Sequence, residues 1–260
     1  MKLCSLGSGS KGNCTYIQSG DTHILIDAGL SCKQINLRLN QIGVKLDQIT
    51  DILITHSHSD HIGSIGVISR KTNVNIWINH GTKREVEYAS QNLNGVCWSI
   101  FDTNRAFSIR QLEIYPHSVS HDTTDPVCFF INDDTSTVGV VTDLGCSSTS
   151  LESKISQCNA VLLEFNHDIT MLKQSDRPQS LITRIGSNKG HLNNTQAANI
   201  IKNSCSQTLN TIFTAHVSHE CNNQYTITDI ANEAIFEGLN TDIKLENTYQ
   251  NRISEVWENA

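Results

Sequence analysis

The chain has 260 residues, of which 38% are hydrophobic and 17% charged, and its formal net charge is −7. Its length and composition suit a globular protein with a sizeable core, and the acidic charge excludes the generally basic surface of many nucleic-acid-binding domains. A nucleic-acid substrate is not excluded, because only the local field inside a metal-lined cleft acts on it there.

Targeting signals and the cysteine pattern indicate the cellular compartment of the protein. No apolar run reaches the roughly 20 residues of a membrane span, and the opening MKLCSLGSGSKGN contains no apolar stretch of signal-peptide length. Nine cysteines occur without a Cys-x-x-Cys pair, which indicates free thiols in a reducing compartment. We therefore expect a cytoplasmic protein with no membrane partner, whose oligomeric state the sequence does not predict.

The first third of the chain alternates short β-rich runs with helical patterns. A hairpin is predicted where CTYIQSG and HILIDAG flank Gly20-Asp21. A helix is predicted next, with Ser31 as its N-cap and Gly43 as its stop. The predicted elements that follow are the strand DILITH, a helix from Gly63 to Arg70, the strand VNIWIN and the helix GTKREVEYASQNL.

The remainder is rich in strands and then again in helices. The predicted elements are the strands AFSIRQLEIYPHSV, VCFFIND and STVGVVTD, the helix SLESKISQC, the strand AVLLEFN, the helix NTQAANIIKNSC, the strand TIFTAH, the helix TITDIANEAIF and the strand DIKLENTY. No linker interrupts them, so we expect a single domain over residues 1–260. Two packed sheets with outer helices is one arrangement that buries so many apolar strands.

The stretch THSHSDHIG, which begins at Thr55, places three histidines and one aspartate within six residues. Imidazole nitrogens and carboxylate oxygens bind zinc-type metals, and a catalytic metal needs about three protein ligands and an open position. In a tight loop after the strand, His56 and His58 can point one way while Asp60 and His61 point another. One hexapeptide can therefore start two adjacent metal sites.

Other metal-capable side chains follow other predicted strands. They are His117 and His121 in YPHSVSHD, Asp143 in VGVVTD, Glu164, His167 and Asp168 in LLEFNHD, and His216 and His219 in TAHVSHE. A single polar residue at a strand end is commonly a turn former. Because such residues recur at the carboxyl ends of buried strands, where α/β proteins place their sites, the pattern predicts one shared site.

These motifs resemble the metallo-β-lactamase superfamily, in which LIDAG, THSHSDH, SVSHD, VTDLG and TAHVS match five ordered motifs. The segments GSGSKGN, SHDTTDPV, LEFNHD, GSNKGHLNN and HVSHECN resemble the YycJ/WalJ group within it. The resemblance covers nearly the whole chain and implies an α/β fold, the αββα sandwich, with two mixed sheets and outer helices. Phe165 departs from the small residue usual in the group, which bears on the local pocket shape.

The resemblance also implies a ligand set for two divalent metal ions. The first ion would be held by His56, His58 and His121, and the second by Asp60, His61 and His216, with Asp143 bridging both. We expect zinc, with manganese and iron as alternatives, because histidine and aspartate ligands accept all three. His121 is favoured over His117 because the pattern HD…DPV starts there, and Asp27 is expected to orient a ligand from below the site.

Two bridged metals lower the pKa of water toward neutrality, which predicts hydrolysis by a metal-bridging hydroxide that Asp60 could also orient. The segment GSNKGHLNN bears on the electrophile, because His191 precedes a predicted helix start near Asn194, where anions are favoured. His191 could contact phosphate or protonate a leaving alkoxide, with helix capping as the alternative. The pattern resembles ribonuclease Z-type phosphodiesterases, in which such a histidine serves the leaving group, and Glu164 could fix its tautomer.

Hydrolysis of a phosphodiester is the leading prediction, with nucleic acid as the partner. The YycJ/WalJ resemblance implies a nuclease on DNA, with 5′-to-3′ exonuclease activity as the role suggested for the group. The candidate substrate contacts are Ser8, Ser10 and Asn13 in the glycine-rich GSGSKGN segment, together with His167 and Lys189. Further possible contacts to the nucleic-acid backbone are Lys11, Arg177 and Arg184.

Two other functions stay open. A thioesterase or lactonase of the glyoxalase II type would use the same metals on a carbonyl group, and a non-catalytic scaffold would bind metal without turnover. Comparing a phosphodiester with a thioester substrate distinguishes the two hydrolases. Metal content distinguishes the scaffold, which need not hold two equivalents.

Overall fold

Two seven-stranded sheets form the centre of the computed structural model, which describes residues 1–89, 92–240 and 242–259. The first sheet has the order β14-β1-β2-β3-β4-β5-β6 and contains β1 (Lys2–Gly7), β2 (Cys14–Ser19), β3 (Thr22–Ile26), β4 (Asp51–Leu53), β5 (Asn75–Ile78), β6 (Cys97–Ile100) and β14 (Trp257–Glu258). In this sheet β14, β1, β2 and β3 pair antiparallel, whereas β3 to β6 pair parallel.

The second sheet repeats that mixture. Its order is β13-β12-β11-β10-β9-β8-β7, and it contains β7 (Phe107–Ile109), β8 (Leu112–Ser118), β9 (Val127–Asn132), β10 (Thr137–Val141), β11 (Ala160–Glu164), β12 (Thr211–Ala215) and β13 (Lys244–Asn247). Strands β7 to β10 pair antiparallel and β10 to β13 pair parallel. Both sheets are therefore mixed, as expected.

Helices connect the strands of each sheet. The first half of the chain contributes α1 (Cys32–Gln41), a 3₁₀ turn (Leu46–Gln48), α2 (Ser59–Ile62), α3 (Ile65–Ser69) and α4 (His80–Ala89). The second half contributes α5 (Thr149–Ile155), α6 (Ile169–Gln174), α7 (Gln179–Ile185), α8 (Asn194–Ser204) and α9 (Gln224–Glu237). Within the described ranges, no helix combines the length and the apolarity that crossing a membrane requires.

Side-chain alternation along the strands divides the core into layers. In β3, Ile24 and Ile26 are buried between the two sheets, whereas Leu25 belongs to the cluster that includes Ile35 and Leu39 of α1. In the second sheet, Ala160 and Leu162 of β11 face the first sheet, and the intervening Val161 packs with α5, α8 and α9. Since successive strand residues point to opposite faces, each sheet is covered by the other on one side and by helices on the other. The αββα sandwich is confirmed.

Three predicted helix boundaries are confirmed. The Ser31 hydroxyl accepts a hydrogen bond of 3.3 Å from the backbone N–H of Gln34, and Gly43 has a φ of 74° beyond the end of α1. Helix α8 begins at Asn194, where Asn193 and Gln196 form a reciprocal capping box.

The prediction around the histidine-rich motif is wrong in local detail. Strand β4 ends at Leu53 rather than at His56, and the short helix α2 was not predicted, whereas α3 lies within the helix predicted from Gly63 to Arg70. Asp60 and His61 therefore lie in the short helix α2 and not in a loop.

Contacts from the segments before β2 and after β3 explain this difference. The carbonyl oxygen of His61 accepts a hydrogen bond of 2.8 Å from the N–H of Ala28, and that of Asp60 accepts one of 2.8 Å from the N–H of Asn13. The backbones are so close that a Cβ atom at Gly29 would lie 1.5 Å from the Asp60 carbonyl oxygen. Such tertiary hydrogen bonds are invisible to sequence periodicity.

Several elements were not predicted, or were predicted with other bounds. Strands β1 and β14 and helices α6 and α7 were missed, and the long predicted strand AFSIRQLEIYPHSV is broken at Arg110, which has a φ of 52°. The helix predicted over GTKREVEYASQNL is described as α4, whereas Ser90 and Gln91 of that prediction lie outside the described residues.

All nine cysteines lie within the described ranges and none forms a disulfide, which confirms the expected free thiols. Burial is the main cause that raises the pKa of the Cys4 thiol to about 11 and that of Cys158 to about 12. These thiols stay protonated at neutral pH and serve as small apolar side chains.

Candidate metal centre

The candidate site residues converge at the carboxyl ends of strands from both sheets. Asp27 follows β3, the motif residues His56 to His61 follow β4, Asp143 follows β10, Glu164 ends β11, and His216 follows β12. Because the carboxyl ends of parallel strands lie along one edge of a sheet, side chains far apart in sequence meet there.

Three of these residues have a left-handed backbone. The φ angles are 61° at Asp27, 61° at Asp143 and 51° at His216, a region that non-glycine residues rarely adopt. Local hydrogen bonds compensate, since the N–H of Asp27 donates to Leu53 at 2.8 Å and the N–H of His216 donates to the Ser8 hydroxyl at 2.8 Å. Such strain is typical of functional sites, where it turns a side chain away from the sheet.

A first group of three imidazoles forms one half of the site. Nδ1 of His58 lies 3.1 Å from Nε2 of His56 and 3.3 Å from Nε2 of His121. Burial lowers the pKa of all three rings. The next cause is the neighbouring imidazole, which is His61 for His56 and His121 for His58. The three rings are therefore neutral at pH 7, which is the form that binds metal.

A second group forms the other half. Nε2 of His61 lies 3.7 Å from Oδ2 of Asp60 and 3.4 Å from Oδ2 of Asp143, and Nε2 of His216 lies 4.0 Å from Oδ2 of Asp60. Nε2 of His216 and Oδ2 of Asp143 are buried without a hydrogen-bond partner. Buried polar atoms normally have partners, so these two atoms mark a position suited to an ion.

In three of the histidines, the Nδ1 atom lies within hydrogen-bond distance of an oxygen atom. Nδ1 of His61 lies 2.7 Å from Oδ2 of Asp27, Nδ1 of His121 lies 3.0 Å from the Gly190 carbonyl, and Nδ1 of His216 lies 2.8 Å from Oε1 of Glu164. This arrangement fixes each ring and leaves its Nε2 atom for the centre, as in known metal sites. Asp27 thus has the orienting position that was expected of it.

The negative charge of the buried carboxylates has the largest influence on the histidine pKa values in the second half of the site. Burial alone would lower the pKa of His61 and His216, but carboxylates led by Asp143 outweigh it and raise the pKa values to about 10 and about 9. Burial conversely opposes ionisation of Glu164, yet His191 and His216 lower its pKa to about 2. The buried acids therefore require compensating positive charge, and this cluster of histidine and aspartate side chains is able to bind metal ions.

Glu164 connects the centre to His191. Its Oε1 atom lies 2.8 Å from Nδ1 of His191 as well as 2.8 Å from Nδ1 of His216, and its Oε2 atom accepts hydrogen bonds from the N–H groups of Leu144 at 3.2 Å and Leu192 at 3.0 Å. Four donors thus immobilise one fully buried carboxylate.

An open cleft of about 600 Å³ lies over the centre. The cleft residues from the candidate set are Ser10, His58, Asp60, Asp143, Arg177, Arg184, His191 and His216, which are joined by Ser59, Leu181, Ile185 and Glu220. The cleft therefore combines the metal-binding cluster, His191 and two arginines on one surface.

The serine and asparagine candidates have different positions. Ser10 is exposed and lines the cleft, whereas the buried hydroxyl of Ser8 is occupied by the backbone of His216. Nδ2 of Asn13 lies 3.3 Å from Oδ2 of Asp60 and 2.9 Å from Nε2 of His61. Ser8 and Asn13 therefore contact the centre itself, and their role as substrate contacts stays a prediction.

His167 and Lys189 do not line the cleft. His167 is 2% exposed, and its Nδ1 atom has no partner. Lys189 lies in a separate groove, which Ser120, His121 and Cys146 also line. Phe165 is fully buried in the helix-covered core of the second sheet, so its departure from a small residue does not shape the cleft.

Two acidic residues near the centre were missed by the sequence analysis. Oδ1 of Asp122 lies 3.5 Å from Nε2 of His58 and 3.5 Å from Nε2 of His121. Glu85 of α4 accepts hydrogen bonds from the hydroxyl of Ser57 and, at 3.0 Å, from the N–H of Thr124. Adjacency to His121 was the only sequence signal for Asp122, and nothing local marked Glu85.

A family model described as the metallo-β-lactamase superfamily matches residues 7–147, which include the β4 motif, His121 and Asp143. The chain belongs to the metallo-β-lactamase superfamily. This membership, together with the metal-binding cluster, makes it a metal-dependent hydrolase, as the motifs indicated.

Individual members of the superfamily are similar over most of the chain. The protein named exodeoxyribonuclease YycJ of Bacillus anthracis is 31% identical over 84% of this chain and 82% of its own length. Exodeoxyribonuclease WalJ of Streptococcus pneumoniae is 34% identical over 85% and 83%, respectively. The expected resemblance to the YycJ/WalJ group is confirmed.

Solved structures support the fold. YhfI from Bacillus subtilis superposes with a TM-score of 0.73 at 16% identity, covering 99% of both chains. Zinc-bound PqqB from Methylobacterium extorquens superposes with a TM-score of 0.73 at 14% identity, covering 100% of both. At such low identity these likenesses establish the metallo-β-lactamase fold alone.

Proposed function

We propose that this chain is a phosphodiesterase that hydrolyses DNA strands with two divalent metal ions, zinc being the first candidate. The observation that carries the proposal is the Glu164–His191 pair, whose Nδ1–Oε1 distance is 2.8 Å and whose histidine lines the cleft beside Asp60 and Asp143. A phosphodiester releases a poor alkoxide leaving group, which needs a proton donor at this place.

The ligand assignment follows the two halves of the centre. His56, His58 and His121 would hold one ion, Asp60, His61 and His216 the other, and Asp143 would be shared. Asp143 supports this assignment because it groups with His56 and His61 as well as with His216. When bound, such ions supply Lewis acidity, which lowers the pKa of water toward neutrality and stabilises charge on the phosphoryl oxygens.

The side chains of the chain carry out the remaining steps. Asp60, at the cleft surface, accepts a hydrogen bond from the attacking water and orients it toward the phosphorus. Glu164 keeps a proton on Nδ1 of His191, which leaves Nε2 of His191 to donate its proton to the leaving oxygen. Because Glu164 is buried and held by four donors, the ring keeps this orientation throughout.

DNA is proposed as the substrate because relatives similar over most of the chain are named exodeoxyribonucleases. Exonucleolytic cleavage in the 5′-to-3′ direction is the corresponding reaction. The acidic overall charge does not oppose this, since the cleft itself carries Arg177 and Arg184.

A substrate panel tests the proposal. Metal-loaded protein is incubated with 5′-labelled and 3′-labelled single- and double-stranded DNA, with RNA, and with a thioester such as lactoylglutathione. We expect DNA cleavage from one end, with Asp143→Asn as the matched control that excludes a contaminating nuclease. Hydrolysis of the thioester without cleavage of either nucleic acid would contradict the proposal and favour a glyoxalase II-type activity.

A further inference from the structure

Two arginines lie on one wall of the cleft, in the segment between β11 and α8 that the sequence analysis did not recognise as helical. Arg177 precedes α7, and Arg184 lies near its end. Arg184 lies on α7 itself, whereas Arg177 lies two residues before its first residue. The two side chains pair with different acids and therefore occupy different positions on the cleft wall.

Each arginine is held by an acid from a different loop. Nη2 and Nε of Arg177 both lie 3.0 Å from Oε2 of Glu220, which is on the loop that follows His216. Nε of Arg184 donates to Oδ2 of Asp122. The two ion pairs thus join α7 to two separate loops of the metal centre.

The two pairs flank the centre on opposite halves. Asp122 directly follows His121, and its Oδ1 atom is 3.5 Å from Nε2 of His58, so Arg184 belongs to the half formed by the three imidazoles. Glu220 lies four residues after His216, on the loop that follows this histidine, so the Arg177 pair connects α7 to the other group.

Both guanidinium groups have donors to spare. A guanidinium carries five N–H donors, and each arginine directs them at only one carboxylate oxygen of its partner. The Arg184 side chain is 54% exposed and that of Arg177 25% exposed, both beside the open cleft. Bidentate binding of phosphate is the characteristic use of such groups.

We propose that Arg177 and Arg184 bind the phosphates on the two sides of the scissile phosphate, so that the substrate is a strand crossing the centre. Glu220 and Asp122 hold the guanidinium groups in place, and the N–H donors that they leave free bind the substrate phosphates. This inference rests on the proposed phosphodiesterase function and specifies its substrate class as a polynucleotide. A phosphodiester that has no phosphate on either side of the scissile one would leave both arginines without a phosphate to bind.

Removing charge from the DNA strand and from the protein tests this arrangement, in which Arg177 and Arg184 form a clamp on the two flanking phosphates. Single methylphosphonate linkages, which are neutral, are placed on either side of the cleavage site and, as a reference, several nucleotides away. These strands are hydrolysed by metal-loaded wild type, Arg177→Gln and Arg184→Gln. The matched control is Arg105→Gln, because Arg105 also pairs with an aspartate, Asp102, but is 80% exposed and away from the cleft.

We expect each flanking methylphosphonate to lower kcat/KM of the wild type by about ten- to a hundredfold, in line with hydrogen bonds to charged groups. The loss on one side should disappear in Arg177→Gln and the loss on the other side in Arg184→Gln. Each variant should also reduce the slope of log kcat/KM against log salt by about 1, whereas Arg105→Gln should not.

The clamp would be overturned if the loss from each flanking methylphosphonate persisted in both glutamine variants and simply multiplied with the loss from the substitution. Unchanged salt slopes would overturn it as well. Either result would leave the phosphodiesterase function intact. Failure of the wild type to cleave any nucleic acid would overturn both. If a glutamine variant does not fold, the wild-type series still decides: flanking losses that exceed the distant reference support the clamp, and equal losses refute it.

Discussion

Nδ1 of His191 lies 2.8 Å from Oε1 of Glu164, a carboxylate with no solvent exposure. The contact turns a histidine of the α7–α8 connection toward the cleft and fixes its tautomer. Because the contact orients the ring at the cleft, it supports the proposed role of His191 as the proton donor to a departing oxygen.

Replacing His191 by alanine should therefore separate substrates by leaving group. An alkoxide needs a proton, whereas p-nitrophenolate does not, so His191→Ala should cut hydrolysis of a nucleic acid about 10²- to 10⁴-fold more than that of bis-p-nitrophenyl phosphate. The measurement is kcat and KM for both substrates. His80→Ala, at the exposed start of α4, serves as the matched control.

Other outcomes of the same experiment have distinct meanings. Similar losses on both substrates, mainly in KM, would indicate that His191 grips phosphate. Small and equal effects, with a stability loss of about 1 kcal/mol, would reduce it to a structural role and weaken the nuclease proposal.

Asp60→Asn should lower turnover of a phosphodiester by roughly a hundredfold or more, because it removes the charge that in the proposed mechanism would help to hold an ion and orient the water. Folding should survive, since the group His56, His58 and His121 is untouched. Steady-state kinetics beside a melting curve measures both. Asp47→Asn, on the exposed 3₁₀ turn, is the control, and full activity of Asp60→Asn would exclude the proposed role.

Protein purified without chelator should contain two metal equivalents per chain. Asp143→Asn should lose at least one equivalent, because Asp143 lies between the two halves, and asparagine tolerates its left-handed φ of 61°. Elemental analysis and a chelator titration provide the measurement. A single equivalent after reconstitution, unaffected by Asp143→Asn, would refute the shared-carboxylate assignment.

Asp133 should stabilise the contact between the two sheets in a pH-dependent way. Its Oδ2 atom accepts a hydrogen bond of 2.9 Å from Ser19 of the first sheet. Despite its burial, hydrogen bonds from Thr135 and Ser19 lower its pKa from 3.8 to about 2. Because the folded-state pKa is depressed, the stabilisation is present above about pH 4 and is lost as the pH falls through about 2.

Asp133→Asn should accordingly lower the free energy of unfolding at pH 7 by about 1–3 kcal/mol, the value of hydrogen bonds to a charged group. The difference from the wild type should shrink as the pH approaches 2. Urea unfolding between pH 2 and 7 measures it, with the exposed neighbour Asp134→Asn as control. A difference that is constant over this range would show that the carboxylate charge is not involved.

The hydrophobic periodicity and the composition of the sequence were sufficient to predict most of the fold. The continuous apolar run Ile24-Leu25-Ile26 is typical of a strand covered on both faces, and the structure places its residues in two different core layers. Ser31 and Gly43 mark the limits of α1 because capping is a local interaction. Local physics of this kind acts over a few residues and is therefore legible in the sequence.

The His-x-His-x-Asp-His spacing and the polar strand ends likewise identified the candidate metal cluster from the sequence. Tertiary structure alone decided which residues surround it. Asp122 lies against His58, which is distant from it in sequence, and Glu85 of α4 accepts a hydrogen bond from Ser57 within the motif. The backbone of Gly29 lies close to that of Asp60, where part of the expected loop forms α2. Arg177 and Arg184 reach the cleft because α7 packs across it. No periodicity encodes such positions, since they depend on which chain segments meet after the two sheets have packed.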